Sequence, residues 1–362
     1  MNAYKHSTTS IVSIQKSTYD TIDIQALLKP LGGMKQYVKK DERVLLKTNL
    51  LIPSDPTKAV VTHPAVITAL AKEILKIGAV PFIGDSPSGP FTKRRLEKSY
   101  QKSGLVPIAK DLGIDLNYDT AVTKKGIPLG KKLKKTPICN FILDADKIIA
   151  VPKIKTHSFM IMTLATKIMY GAVPGLTKAK YHSLYFRRTA FADMLLDVLS
   201  IRKPDLLVMD GIIGMQGDGP SGGTPVNLGV LLASDHPIAM DLAVCALLGI
   251  EPMYIPTLRQ AKIRHLWPTE IHYPLLTPQD VHHVDFRLPS SAVPLLQGSN
   301  TRRQRPIPTE KCTACGQCVE ICPKQAIQIK DKRAMVDYKR CIACYCCHEV
   351  CPYEAIELGY IK

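Results

Sequence analysis

Residues 312–327 read CTACGQCVEICPKQAI, and the pattern recurs 29 residues later as CIACYCCHEVCPYEAI at 341–356. Nine positions match in register: four cysteines, two alanines, one glutamate, one proline and one isoleucine. A repeat of fixed period indicates two equivalent structural units in tandem. Nine of the 11 cysteines of the chain fall in this segment, so their spacing decides what the segment does.

Each copy is a C-x2-C-x2-C-x3-C-P run, a spacing that lets three thiolates surround one cubane cluster while the fourth points away. Zinc ribbons use C-x2-C pairs separated by longer gaps, so the spacing favours iron-sulfur clusters over zinc. The segment resembles the bacterial two-cluster ferredoxins. We therefore expect two 4Fe-4S clusters as cofactors, which move single electrons.

The resemblance also implies crossed ligation, because in that family the fourth cysteine of each run serves the other cluster. The implied ligand sets are Cys312, Cys315, Cys318 and Cys351 for one cluster, and Cys341, Cys344, Cys347 and Cys322 for the other. Cys346 is extra to both sets; we expect a bystander, with a redox or repair role as the alternative. Cys139 and Cys245 lie in apolar stretches, which predicts buried core thiols.

Upstream of the repeat, residues 298–308 (GSNTRRQRPIP) have the composition of a linker. The stretch before it, 251–300, is rich in Pro and His. We therefore divide the chain into an α/β domain, residues 1–300, and a ferredoxin-type domain, residues 301–362.

Four short apolar segments of the first domain have the length and composition of buried strands: 44–46, 80–83, 148–151 and 206–209. Apolar residues at helical spacing follow Pro64, and the same spacing recurs over 191–199. Strands that alternate with amphipathic helices predict an α/β fold with a mostly parallel sheet and helices on both faces. The ferredoxin-type domain is expected to be a small α+β unit.

Polar side chains follow these strands, at the edge where ligands bind in open parallel sheets. Lys153, Lys155 and His157 follow the third strand, and alternation along an extended segment predicts that they converge on one point. Together with Asp210, which follows the fourth strand, they are the predicted catalytic residues. The predicted substrate-binding residues are Lys47, Asn49, Asp85, Lys167, Gly217, Gly219 and Asp241.

Some of these assignments have alternatives. Gly217 and Gly219 belong to a glycine-rich loop, 214–223, whose backbone amides could cradle an anion, although a flexible turn has the same composition. Asp241 enters a predicted helix over 238–248 and is either a first-turn charge or a site carboxylate. A mixed set of cations and carboxylates suits an anionic substrate or a bound metal.

Several stretches resemble domain-of-unknown-function family 362 over about residues 10–260. The motifs are K-x-N at 47–49, His63-Pro64, Gly84-Asp85, P-K-x-K-T-H at 152–157 and S-D-x-P-x-A-x-D at 234–241. Many members carry a ferredoxin tail, and the family name implies no reaction. Members often have Lys-Asn before the glycine that follows the K-T-H motif, whereas this chain reads KIMYG at 167–171.

The chain is basic, with 48 Lys and Arg against 31 Asp and Glu, a formal charge of +17. A basic surface favours anionic partners. Six lysines crowd residues 124–135, which predicts a solvated hairpin or loop, but the stretch has no aromatic residues for base stacking. Nucleic acid is therefore an unlikely partner. The sequence has no apolar run long enough for a membrane span and no signal pattern, so we expect a cytoplasmic location.

The preferred interpretation is a cytoplasmic iron-sulfur oxidoreductase, in which the clusters exchange electrons with a small-molecule or metal site on the α/β domain. Its expected partner is a redox protein or a small anionic substrate. Two alternatives stay open. One is a non-catalytic electron carrier or maturation factor that docks a partner protein, and the other is a non-redox enzyme with structural clusters.

Overall fold

The structure is a computed structural model that describes residues 9–283, 285–292 and 303–361. The predicted domain boundary at 300–301 lies outside the described residues, as do residues 298–302 of the predicted linker. The end of the predicted linker has regular secondary structure. Residues Arg305–Pro308 form a strand, because they pair antiparallel with the last strand of the chain, Ile356–Gly359.

Within the described residues, the strands are β1 (Thr9–Ile11), β2 (Ser13–Lys16), β3 (Arg43–Lys47), β4 (Val80–Gly84), β5 (Asp115–Leu116), β6 (Val122–Gly126), β7 (Lys135–Cys139), β8 (Lys147–Ala150), β9 (Lys153–His157), β10 (Ile161–Met162), β11 (Leu206–Gln216), β12 (Thr224–Ser234), β13 (Glu270–His272), β14 (Arg305–Pro308), β15 (Ile327–Lys330), β16 (Arg333–Val336) and β17 (Ile356–Gly359). The α-helices there are α1 (Ile24–Leu28), α2 (Pro64–Ile77), α3 (Lys93–Lys102), α4 (Leu105–Leu112), α5 (Asn140–Leu143), α6 (Leu164–Ile168), α7 (Gly175–Leu184), α8 (Arg188–Leu199), α9 (Pro237–Leu247), α10 (Pro256–Ile263), α11 (Gln317–Ile321) and α12 (Cys346–Glu349). None of these helices is both long enough and apolar enough to cross a membrane.

The large sheet has the strand order β10-β9-β11-β8-β3-β4-β5, and β12 and β2 extend it from β11. Its central pairs are parallel, from β9–β11 through β8 and β3 to β4–β5. The outer pairs β9–β10, β11–β12 and β12–β2 are antiparallel. The four predicted strand segments lie in β3, β4, β8 and β11, which are neighbours in the sheet. The predicted α/β fold with a mostly parallel sheet is confirmed.

Helices cover both faces of this sheet. Along β3, Leu45 packs into a core shared with α8, whereas Leu46 packs into a second core shared with α2. Strands that are apolar on both faces are typical of sheets covered twice. Helix α2 begins at Pro64 and ends at Ile77. The next residue, Gly78, has a φ of 83°, the left-handed geometry that favours glycine after a helix end.

The C-terminal part contains the strand pairs β14–β17 and β15–β16 and the short helices α11 and α12. The 29-residue repeat is present in its backbone, because residues with left-handed φ recur at that spacing. The pairs are Ala314 with Ala343, Gly316 with Tyr345, and Gln325 with Glu354. Ala343 and Tyr345 belong to the same hydrophobic core as α8, so this part packs directly against the large sheet and its helices.

Candidate functional site

Eight cysteines of the repeat form two groups. Burial, followed by the nearby thiols of Cys315, Cys351 and Cys312, raises the pKa of Cys318 to about 11. Burial also raises the pKa of Cys347, and the neighbouring thiols are those of Cys344, Cys341, Cys318 and Cys322. Cys351 therefore lies near the first run and Cys322 near the second, as the crossed ligand sets require, and Cys318 shows that the two groups adjoin. The assignment of individual ligands stays a prediction.

Backbone amides point at the sulfurs of both groups. The amide of Ala326 donates to Cys322 Sγ at 3.2 Å, and 29 residues later the amide of Ala355 donates to Cys351 Sγ at 3.2 Å. Such donors stabilise thiolates that hold iron, and they tune cluster potentials. The cysteines present thus fit 4Fe-4S clusters. Among the described residues, no three His, Cys, Asp or Glu side chains are arranged to hold a single metal ion.

A cavity lies where the carboxyl ends of β3 and β4 meet α6, α7 and α12. We call it the lysine pocket. Its polar lining residues are Lys47, Asn49, Asp85, Ser86, Ser88, Lys155, Thr163, Lys167, Tyr170, Lys178, His182, Cys346 and Glu349. Five predicted substrate or catalytic residues meet there: Lys47, Asn49, Asp85, Lys155 and Lys167.

A buried ion pair forms the floor of the lysine pocket. Lys47 Nζ lies 2.7 Å from Asp85 Oδ1, and both side chains are buried. Asp85 also accepts hydrogen bonds from the amides of Leu50, at 2.6 Å, and Ser86, at 2.7 Å. Gly171 lies against this pair, and a Cβ there would collide with Asp85 Oδ1 and Lys47 Nζ. The glycine is therefore needed for the close approach of the backbone rather than for an unusual φ.

Two further lysines are held by neutral oxygens. Lys155 Nζ donates to the Val60 carbonyl at 2.6 Å, and Lys178 Nζ donates to Ser86 Oγ at 3.0 Å and to the Pro87 carbonyl at 3.3 Å. Burial lowers the pKa of each of these lysines to about 7. Because carbonyls compensate an ammonium charge less well than a carboxylate does, both side chains favour an added anion.

Lys167 has no hydrogen-bond acceptor among the described residues. Its ammonium lies 5.4 Å from the centroid of the Tyr170 ring, and burial lowers its pKa. The side chain is half-buried and lines the pocket. Of the pocket lysines, it is therefore the one whose donors are available to a ligand.

Other polar atoms at the pocket also have unused hydrogen-bonding capacity. Glu349 Oε1 lies 3.3 Å from His157 Nε2, but neither atom makes a hydrogen bond. His182 Nδ1 likewise has no partner within the described structure. Burial raises the pKa of Glu349 to about 7 and lowers that of His182 to about 3. Buried polar groups of this kind indicate a site that a ligand or water completes.

Two predicted catalytic residues, Lys153 and Asp210, lie outside the lysine pocket and bind each other. Their Nζ and Oδ2 atoms are 2.7 Å apart, and both side chains are fully buried. Tyr19 donates its hydroxyl to Asp210 Oδ1 at 3.2 Å. The predicted convergence on one point is therefore not what the structure has. Lys153 binds Asp210, Lys155 reaches the pocket, and the His157 ring is held by the Phe159 amide, which donates to Nδ1 at 3.2 Å.

The glycine-rich loop contacts the C-terminal part, and one of its residues, Pro220, lines the lysine pocket. Ser221 Oγ donates to the Glu349 carbonyl at 2.9 Å, and the Asp218 carbonyl lies 2.9 Å from His348 Nε2. Neither Gly217 nor Gly219 lines the lysine pocket, so their predicted substrate contact has no support in the described residues.

Asp241 also lies behind the lysine pocket rather than in its lining. Its two carboxylate oxygens accept from the amides of Ala165, at 2.7 Å, and Thr166, at 3.0 Å. Those amides begin α6, the helix that carries Lys167. The contact positions α6 relative to α9, so Asp241 acts on the pocket through the helix.

Sequence reasoning missed several pocket residues. One of them is Lys178, which lies four residues before His182 in α7, a spacing that places the two on one helix face; this was the available signal. Tyr170, Cys346 and Glu349 carried no such signal. Cys346 is buried and lines the pocket, whereas Cys139 and Cys245 are buried core thiols as predicted.

The fold and the cysteine groups define the class: a mostly parallel α/β protein with a C-terminal iron-sulfur part. Residues 311–355 match a family described as "4Fe-4S dicluster domain", so this is an iron-sulfur protein. Residues 44–246 match "Domain of unknown function (DUF362)", and the chain belongs to the DUF362 family. Both resemblances predicted from the sequence are confirmed.

One curated relative is "Thylakoid-associated protein sll1697" of Synechocystis sp. The two are 33% identical over 281 residues, which cover 75% of this chain and 84% of the relative. Among solved structures, the lactate racemase apoprotein of Thermoanaerobacterium thermosaccharolyticum is similar with a TM-score of 0.39 and 13% identity. That match covers 65% of this chain and 56% of the racemase chain.

We predict that Asp210→Asn lowers the free energy of unfolding, although Asp210 does not line the lysine pocket. The change leaves the buried Lys153 ammonium without its carboxylate, which costs about 3–5 kcal/mol. Urea unfolding of the anaerobic protein measures the loss. The exposed Asp111→Asn is the matched control and should stay within about 0.5 kcal/mol of wild type. Equal stabilities of the two variants would show that the pair is dispensable.

We predict that Gly171→Ala disrupts the Lys47–Asp85 pair. The added Cβ has no room beside these side chains, so the free energy of unfolding should fall by about 1–3 kcal/mol. Gly126→Ala is the control, because a Cβ there meets nothing within 4 Å. Urea unfolding compares the two, and a Gly171→Ala variant as stable as Gly126→Ala contradicts the proposed crowding.

The crossed ligand sets predict about eight iron and eight sulfide per chain after anaerobic purification. Cys347→Ala should lower both values, whereas Cys346→Ala, one residue away and also buried, should leave them unchanged. Iron and sulfide analysis measures the difference. Loss of iron in Cys346→Ala would place the second ligand run one residue out of register.

Proposed function

We propose that this protein is an oxidoreductase that moves electrons between two 4Fe-4S clusters and a small organic anion in the lysine pocket. When bound, the clusters supply reversible one-electron chemistry. Their proposed ligands are Cys312, Cys315, Cys318 and Cys351 in one group, and Cys341, Cys344, Cys347 and Cys322 in the other.

The observation that carries this proposal is the position of α12. Cys346 in this helix lines the lysine pocket on one side. It also lines a second cavity together with four thiols of the second group: Cys322, Cys341, Cys344 and Cys347. One turn of helix therefore separates the pocket from that group. A compound in the pocket would lie beside the second cluster, which favours direct electron exchange.

The pocket residues favour a carboxylate or phosphate as the bound group. Asp85 is already engaged by Lys47 and by two amides, so its charge is compensated within the protein. Lys155 and Lys178 bind only neutral oxygens, and Lys167 has free donors in the described structure. We infer that these three lysines orient the anion through charge-assisted hydrogen bonds.

The other cysteine group contains the exposed thiol of Cys315, which supports exchange with a redox partner protein. Each group otherwise has two buried cysteines, and the remaining cysteines of both groups are half-buried. A partner would therefore approach the first group. We also propose a cytoplasmic location, because none of the 11 cysteines forms a disulfide in the described structure, as expected in a reducing compartment.

We predict that Lys167→Ala loses the bound anion and keeps its clusters. Removing one charge-assisted hydrogen bond costs about 1.5–3 kcal/mol, or about 10- to 100-fold in affinity. The test is native mass spectrometry of the anaerobically purified protein to identify the bound compound, followed by its titration into protein reduced with dithionite. Reoxidation of the clusters, read from their visible absorption, should be much weaker in the variant. The control is Lys110→Ala, an exposed lysine of α4.

The outcomes separate the alternatives. A compound that binds through Lys167 but never reoxidises the reduced clusters would contradict electron exchange and favour a non-redox enzyme with structural clusters. If no small molecule binds and reduced protein passes electrons only to another protein, the carrier function holds. Equal binding by Lys167→Ala and Lys110→Ala would remove the lysine pocket from the function.

A further inference from the structure

The β6–β7 hairpin carries a concentration of positive charge that the lysine pocket does not use. Six lysines lie between residues 124 and 135, and the sequence has no Asp or Glu from 120 to 143. All six lysines are exposed, and none lines the lysine pocket. Lys131 pairs with Asp193 of α8 at 3.1 Å, and the other five lysines form no ion pair within the described residues. The charge of these five is therefore available to a partner in solution.

The connection between the two strands is held in one shape by the core. Asp197 of α8 accepts hydrogen bonds from the amides of Lys131, Lys132 and Leu133, at 2.9, 2.6 and 2.9 Å. Leu133 is buried in the main core, whereas Leu129 at the tip is 69% exposed. The protein thus presents an apolar side chain among lysines on a braced loop.

A second exposed apolar segment lies against this loop. The Tyr185 hydroxyl donates to the Lys132 carbonyl at 3.1 Å, which joins the end of α7 to the hairpin. The residues on either side of Tyr185 are exposed: Leu184 by 56% and Phe186 by 46%. We define the basic hairpin surface as Lys125, Leu129, Lys132, Lys134, Leu184 and Phe186.

We propose that the basic hairpin surface docks this protein onto an anionic lipid bilayer, without a membrane span. Lysines near a membrane are attracted to anionic headgroups, and exposed Leu and Phe side chains insert at the boundary with the acyl chains. Single-stranded nucleic acid shares the charge requirement, but its binding relies on a row of stacking aromatic side chains. The hairpin segment 122–139 has none, and the basic hairpin surface has a single aromatic side chain, Phe186, which does not make such a row. This proposal does not depend on the proposed redox function.

The test is co-sedimentation of the full-length, cluster-loaded protein with vesicles. One set contains phosphatidylcholine alone, and the other contains equal parts of phosphatidylcholine and phosphatidylglycerol. The wild type should bind the anionic vesicles only, and less at higher salt. Lys125→Glu/Lys132→Glu/Lys134→Glu should weaken binding at least about 100-fold. The matched control, Lys35→Glu/Lys39→Glu/Lys40→Glu, changes the net charge equally and should bind within a few-fold of wild type.

Leu129→Ser supplies a second variant that keeps every charge and alters one exposed side chain. It should weaken vesicle binding about 10-fold while circular dichroism and cluster absorption stay unchanged. Absence of wild-type binding to anionic vesicles, retained binding by the hairpin triple variant, or equal loss in the control triple variant would each overturn the proposal. Hairpin-dependent binding of a single-stranded oligonucleotide, insensitive to Leu129→Ser and without vesicle binding, would also overturn it, in favour of nucleic acid.

Discussion

The candidate site depends on the packing of Tyr345 against the core of the α/β part. The ring is 1% exposed and lies edge to face with Phe159 at 6.4 Å, and its hydroxyl donates to the Gln304 carbonyl at 3.2 Å. Burying a side chain of this size contributes about 3 kcal/mol. Tyr345 directly precedes α12, so its position sets where Cys346 and Glu349 meet the lysine pocket. Without this docking, the pocket has only the walls that the α/β part provides.

The charges of the pocket lysines are compensated by residues of the α/β part alone. An isolated buried ammonium is costly, and each pocket lysine reduces that cost in a different way. Lys47 pairs with Asp85, Lys155 and Lys178 bind carbonyl or hydroxyl oxygens, and Lys167 faces Tyr170. Burial lowers the pKa of Lys155 and of Lys178 to about 7, because the neutral oxygens around each ammonium compensate its charge only in part. A bound anion would raise these pKa values again, so ligand binding and protonation of the lysines reinforce each other.

The sequence predicted the sheet well because its central strands are apolar on both faces, and the strand-end rule then located Lys47 and Asp85. It could not separate Lys155 from Lys153. Both alternate onto one side of β9, and only the pairing with β11 brings Asp210 to Lys153. The contact of the glycine-rich loop with His348 could not be predicted, because that residue is about 130 residues away in the chain. Glu349 was missed for the same reason: a docking contact leaves no local periodicity.

The two copies of the repeat differ where one of them docks. Gly316, Gln317 and Val319 of the first copy are half-buried, whereas Tyr345, Cys346 and His348 at the same positions of the second copy are buried. Glu320 and Glu349 are identical residues, yet the first is exposed and the second is buried. A unit with internal symmetry can present only one of its equivalent faces to the large sheet and its helices. Residues that break the repeat therefore mark the docked face, which places the second cysteine group next to the lysine pocket and leaves Cys315 of the first group exposed.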